Sequence, residues 1–162
     1  MRILGIDPGY GIVGYGIIDT HNNNYVVDYG VVETPKEMPF PERLRRIEEG
    51  FKQLFEIYKP DEVAIEELFY FHNQTTVIPV AEARGVIILT AKKYCDRLFE
   101  YTPMQIKQAL TGNGRAEKKQ MQFMVKNVLG LEKIPKPDDA ADALAVALCH
   151  GQINSALNDN MI

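Results

Sequence analysis

The sequence has no apolar run approaching the roughly 18 residues that a membrane span requires. Cysteine is sparse: Cys95 and Cys149 are isolated, each in a helix-like stretch. Such thiols suit burial in a reducing cytoplasm better than a disulfide framework. The three histidines (His21, His72, His150) are scattered, so no His or Cys pattern suggests zinc. Near the start, Asp7 falls where a signal peptide would still be apolar, and no small-residue cleavage site follows, so no leader is expected. Positive charge is not in surplus either. The formal net charge is −4, and a nucleic-acid-binding protein of that charge must gather its bases on one face. Internal repeats, low-complexity stretches and domain linkers are lacking too. What is present, 162 residues with 46% hydrophobic and 25% charged side chains, is ordinary for one globular domain. That domain is expected over residues 1–157, with a short frayed tail at 158–162.

Residues 2–7 read as a strand that ends at an acid, and residues 12–20 as a second strand after a glycine-rich turn. The turn at 21–24 leads to a third, valine-rich strand over 25–33. Three strands joined by short turns imply an antiparallel meander. A connection carrying Pro35, Pro39 and Pro41 feeds a helix whose Leu44, Ile47, Phe51, Leu54 and Tyr58 form one stripe. Residues 62–66 are a short apolar run ending in a carboxylate, read as a buried strand parallel to the first. The helix expected over 76–94 is apolar around much of its circumference. It is therefore buried twice, either as a central core helix or at a subunit interface. A fifth strand over 98–101 precedes helices at about 103–110, 117–129 and 139–155. The fold class is α/β: a five-stranded mixed sheet, three strands antiparallel plus two parallel, flanked by helices in the RNase H-like arrangement.

One motif misleads. Residues 9–14 match G-x-G-x-x-G after a strand, but a dinucleotide fingerprint requires the last glycine to open a helix. Here Tyr15-Gly16-Ile17-Ile18 continues as a strand, so the glycines are expected to serve a tight hairpin. A phosphate loop of the sugar-kinase and actin type begins similarly, but those ATPases close two such domains over the nucleotide, and this chain has room for one.

Carboxylates carry the chemistry. Asp7 ends the first strand and Glu66 the fourth; if those strands are parallel neighbours, both emerge at one sheet edge. The last helix adds Asp139 and Asp142, three apart and on one face, with alanines that permit close approach to the sheet. Asp138, after Pro137, reads as an N-cap. Strand alternation points Glu66 and Glu67 to opposite faces, and Glu66 is favoured for the site. Two like charges about 4 Å apart repel by roughly 4 kcal/mol at an effective dielectric near 20, which protonation or bound metal relieves. All-oxygen ligands favour Mg²⁺ or Mn²⁺, and a pair of Mg²⁺ ions on carboxylates suits phosphodiester hydrolysis.

Five segments carry a family resemblance. They are Ile3-Leu4-Gly5-Ile6-Asp7-Pro8-Gly9 with Gly14-Tyr15-Gly16, Ala64-Ile65-Glu66-Glu67-Leu68-Phe69, Ala83-Arg84-Gly85-Val86, Gln105-Ile106-Lys107-Gln108 with Ala116-Glu117-Lys118, and Asp139-Ala140-Ala141-Asp142-Ala143-Leu144-Ala145. In this order the chain resembles the RuvC family of Holliday-junction resolvases from about residue 2 to 150. The resemblance implies that Asp7, Glu66, Asp139 and Asp142 are the catalytic, metal-binding acids. Asp139 would be either a ligand or a proton acceptor. It also implies a homodimer that nicks a four-way DNA junction symmetrically, during recombination and repair, with the branch-migration proteins RuvA and RuvB as partners.

Lys107 and Lys118 match the family's basic positions, and Arg115, Lys119 and Lys126 lie close to them in sequence, giving a local DNA-binding face whose affinity depends on salt. Phe69, followed by Tyr70 and Phe71, matches an aromatic position that stacks on opened bases, although a core role would place the same ring over the sheet end. Other functions lead to different expectations. A nuclease on RNA–DNA hybrids would use the same acids. A silent junction-binding module would leave their repulsion uncompensated, and an ATPase would bind nucleotide without cutting.

Overall fold

The computed structural model describes residues 1–21, 23–68, 74–153 and 159–162. Strands β1 (Arg2–Asp7), β2 (Ile12–Thr20) and β3 (Asn24–Glu33) pair antiparallel in chain order. On the other side of β1, β4 (Glu62–Glu66) pairs parallel to it and β5 (Leu98–Tyr101) pairs parallel to β4, so the sheet order is β3-β2-β1-β4-β5. The glycine-rich segment is the turn between β1 and β2, and the chain beyond it is strand, as a hairpin requires.

Period-two alternation splits the strands between two cores. Leu4, Ile6, Val63 and Ile65 face α1 (Phe40–Tyr58) and α2 (Gln74–Tyr94), where Ile47, Phe51, Phe55, Ala83 and Ile87 are buried. Ile3, Ala64, Phe99 and Tyr101 face α3 (Pro103–Thr111), α4 (Lys118–Val128) and α5 (Asp138–Gln152). Each fully buried aliphatic or aromatic side chain contributes about 1.5–3 kcal/mol. The start of α3 is fixed by a reciprocal cap between Thr102 and Gln105, and at the start of α4 the Glu117 N–H donates to the Gln120 side chain. Gly112, left-handed at φ 73°, ends α3.

α5 lies unusually close to the sheet. A methyl group on Gly5 would overlap the carbonyl oxygen of Ala143, and one on Gly14 would overlap that of Asp139. Ala140, Ala143 and Ala147 complete the seam, all fully buried. At the far end of this seam His150 is sandwiched in a polar chain. Arg97 Nε donates to Glu62 Oε1 at 2.5 Å, His150 Nε2 meets Glu62 Oε2 at 2.5 Å, and His150 Nδ1 lies 2.6 Å from the Tyr101 hydroxyl. A carboxylate held by Arg97 only accepts, so Nε2 carries the proton and Nδ1 accepts from Tyr101. Burial lowers the His150 pKa, against the pull of Glu62.

Three expectations change. α2 is buried on one side only: Ala83, Ile87 and Ala91 are covered, whereas Ile78 and Leu89 are 67% and 61% exposed. Within one chain it is therefore not a central core helix. α5 begins at Asp138 with Pro137 as its cap, so Asp138 is not the N-cap; its carboxylate is taken by Lys136 at 2.8 Å and Lys118 at 3.5 Å. Fraying does not extend to the last residues. The Glu100 N–H donates to the Asn160 carbonyl and the Ile162 N–H to the Leu98 carbonyl, both at 2.9 Å, because the outer edge of β5 offers unpaired backbone groups. Cys95 and Cys149 are both buried and free. No helix among the described residues is long and apolar enough to cross a membrane.

Gly5→Ala is expected to lower stability by about 1–3 kcal/mol or more, because backbone atoms rather than a flexible side chain must yield. Urea unfolding of the variant beside the parent protein measures this; an unchanged midpoint would contradict the close packing of α5.

Candidate active site

Sheet register sets two of the acids level. Ile6 of β1 lies beside Ile65 of β4, so the following residues, Asp7 and Glu66, leave the sheet together at its carboxyl-terminal rim. Alternation turns both toward the α5 face, in step with Gly5 and with Glu62 and Ala64. This parity selects Glu66 over Glu67. On the other side of β1, Asp7 pairs with Gly14, against which the backbone of Asp139 packs. Asp142, a turn further along α5, lines a cavity of about 240 Å³ with Glu66, Lys107 and Lys118. Sequence-distant acids are thus gathered by strand register and by the glycine seam.

Their charges are felt mutually. Burial pushes the Asp7 carboxyl well above the usual carboxylate range, and Glu66, Asp142 and Asp139 push it further. Asp7 donates a hydrogen bond to Glu66. Burial and Asp142 raise Glu66, while the bond from Asp7 and the cations Lys107 and Lys118 draw it back. Asp142 is raised by burial, against the pull of Lys118, with Asp139 and Asp138 adding to the rise. Lys118 Nζ stands 3.2 Å from Asp142 Oδ2. Burial works against its charge, yet Asp142 and Asp138 hold its pKa above the ordinary lysine value.

This is an acid cluster relieved in part by a shared proton and by two ammonium groups, those of Lys118 and Lys107. Among the described residues, no three or more His, Cys, Asp or Glu side chains are already arranged as a ligand shell. The donor set nevertheless fits a hard divalent cation, since it consists of carboxylate oxygens around a rim short of positive charge.

The basic positions divide. Lys107 and Lys118 line the cavity of Glu66 and Asp142. Arg115 lines a separate depression beside Met104 and Gln108, and Lys119 is exposed near the start of α4. Phe69, Tyr70 and Phe71 lie outside the described residues. Sequence reasoning missed Arg43, which is buried although it sits four residues before Ile47 on the apolar stripe of α1; a charge at a core position was the available signal. It also missed the Glu62–His150 pair, on the strand face and helix stripe that carry Glu66 and Asp142.

An RNase H-like sheet with acids converging at the ends of two parallel strands, under a helix that supplies two more, defines a nuclease of that superfamily. Similarity to known proteins narrows the class. The model of the family "Crossover junction endodeoxyribonuclease RuvC" matches residues 3–150, and the chain belongs to that family. It is 54% identical over 160 residues to the crossover junction endodeoxyribonuclease RuvC of Petrotoga mobilis, covering 98% of each chain. The Fusobacterium nucleatum enzyme of the same name is 55% identical over 156 residues, 96% of this chain and 81% of that one. The fold superposes with a TM-score of 0.90 on Thermus thermophilus RuvC in complex with Holliday junction substrate, at 30% identity and with both chains fully covered.

Crowding of like charge predicts a trade between stability and function. Because folding raises these carboxyl pKa values, the ion-free protein binds protons more tightly folded than unfolded. Its stability therefore falls as pH rises through and above the carboxylate range. Asp7→Asn is expected to raise the thermal midpoint of metal-free protein at neutral pH, by about 0.5–2 kcal/mol equivalent. Mg²⁺ is expected to stabilise the parent and have little effect on the variant. Scanning calorimetry with chelator and with Mg²⁺ reads both; a destabilised Asp7→Asn without metal contradicts the repulsion.

Proposed function

We propose that the chain cuts four-way DNA junctions by metal-dependent phosphodiester hydrolysis, as a homodimer making paired, symmetric nicks. The observation that carries this reading is the convergence of Asp7, Glu66 and Asp142 at one sheet rim, beside Lys107 and Lys118.

Asp7, Glu66, Asp142 and Asp139 are the groups to hold Mg²⁺, two ions per subunit, with Mn²⁺ as a substitute. Bound there, the cations supply an activated water and stabilise the leaving oxygen. The chain itself does three things. Asp7 gives up the proton it shares with Glu66. Lys118 lets go of Asp142 and turns to the phosphate, an exchange between two anions at one position. Lys107, which lines the same cavity as Glu66, takes a neighbouring phosphate, and Arg115 and Lys119 extend the contact along the strand. Asp139, whose backbone is pinned on Gly14, is the acid best placed to serve either as ligand or as proton acceptor.

The exposed side of α2 supports the dimer. Ile78, Ala81, Gly85 and Leu89 follow at helical spacing and are all exposed, a surface suited to a two-fold copy of itself. Two rims related by such an axis act on strands of like polarity. A cytoplasmic location accords with the buried free thiols. RuvA and RuvB stay as expected partners on the family resemblance.

Synthetic four-way junction, plain duplex and RNA–DNA hybrid, each incubated with Mg²⁺ or with chelator, test the activity. Symmetric nicks in the junction alone are expected, dependent on metal and lost in Asp7→Asn and Glu66→Gln. Equal cutting of the hybrid would favour a ribonuclease H-like enzyme instead. Leu89→Glu is expected to give a monomer by analytical ultracentrifugation and to uncouple the paired nicks; a persistent dimer would place the interface elsewhere.

A further inference from the structure

Many cations on this chain are held by acids. Arg2, Arg45, Arg84, Lys92, Lys93 and Arg97 each meet a carboxylate. Lys36, Arg43 and Arg46 are in no ion pair among the described residues, and they are gathered in one place. All three line one open cavity of about 800 Å³, between the β1–β2 turn, the end of β3 and the start of α1. Glu33 is the acid in that lining, so three cations stand against one carboxylate.

Arg43 is the telling member. It is only 8% exposed, yet its neighbours are neutral. Nε donates to Thr34 Oγ1 at 2.9 Å, Nη2 to the Thr34 carbonyl at 3.3 Å, and the guanidinium lies 4.7 Å from the centre of the Tyr10 ring. A buried charge without a counter-ion is unfavourable unless an anion completes it. The planar guanidinium, with further N–H groups beyond those two bonds, is suited to a phosphate. Lys36 and Arg46 are exposed at the same cavity, free to reach the same backbone.

Position gives the ligand. The cavity is lined by Gly9, Tyr10 and Gly11, in the turn that Asp7 and Pro8 lead into, so it opens beside the rim of acids. It lies on the α1 and α2 face of the sheet, whereas Lys107 and Lys118 lie on the α5 face. The two groups of cations flank the acids from opposite sides.

We propose that the Lys36–Arg43–Arg46 cavity is a second phosphate-binding subsite, which holds the DNA backbone where it leaves the rim on the face opposite Lys107 and Lys118. This rests on the junction-cutting function proposed above and extends it. Arg43 supplies the fixed, oriented donor. Lys36 and Arg46 supply mobile charge and hence most of the salt dependence.

Binding of a labelled four-way junction, measured with chelator across a range of salt, tests the subsite without cleavage. The double variant Lys36→Ala/Arg46→Ala, altered at exposed positions, is expected to bind roughly tenfold more weakly and to lower the slope of log affinity against log salt by about two. Arg43→Lys keeps the charge but loses the planar fork. It is expected to weaken binding while circular dichroism and melting show a folded protein. An Arg43→Lys variant that does not fold leaves the double variant to decide. Unchanged affinity and slope in the double variant overturn the proposal alone. A parent protein that does not bind the junction removes the proposed function, and the subsite with it.

Discussion

The close approach of α5 to β1 and β2 is the constraint on which the rest depends. Gly5 and Gly14 have no side chain to hold the helix away, and Ala140, Ala143 and Ala147 present little more than a methyl group in return. Larger residues at these places would widen the seam and carry Asp139 and Asp142 away from Asp7. Packing energy in a long apolar seam therefore holds together groups that electrostatics would separate. The two terms are of unlike range: the seam is spread over many buried side chains, while the repulsion is concentrated at one rim. Divalent cations can relieve that repulsion without any change to the seam.

Much of this was legible because it rests on local periodicity. The strand bounds of β1, β2, β4 and β5 follow from apolar runs broken by turn residues, and the choice of Glu66 over Glu67 follows from alternation alone. The convergence of Asp7 with Glu66 needed one further assumption, that β1 and β4 are parallel neighbours, which the register bears out. Less legible were features that depend on what a residue meets. Asp138 was read as a cap because it follows a proline; in fact Lys136 and Lys118 compete for its carboxylate, and the helix starts without a side-chain cap. The last residues looked featureless, since a single bridge such as Met161 makes with Phe99 carries no periodic signal. Nor does one-dimensional spacing reveal that Arg43 has neutral neighbours.

The two faces of the sheet have different roles. Under α5, α3 and α4 lie the acids and the two lysines nearest them. Under α1 and α2 lie a second aliphatic and aromatic core, the exposed apolar stripe, and the cavity containing Arg43. A strand of DNA reaching from one face to the other must cross the rim, which is where Asp7 and Glu66 end their strands. The sheet thus separates the acid-bearing side from the side of the Arg43 cavity.

α5 runs antiparallel to β4, and the two are joined by polar groups at both ends of their overlap: Asp142 shares the rim with Glu66, and His150 grips Glu62. Eight residues of helix, about 12 Å, separate the two points. A change in charge at the rim cannot slide the helix without breaking the distant imidazole contact. The His150 ring is thereby a built-in strain gauge, whose nuclear resonance frequencies would register metal or DNA arriving at the opposite end.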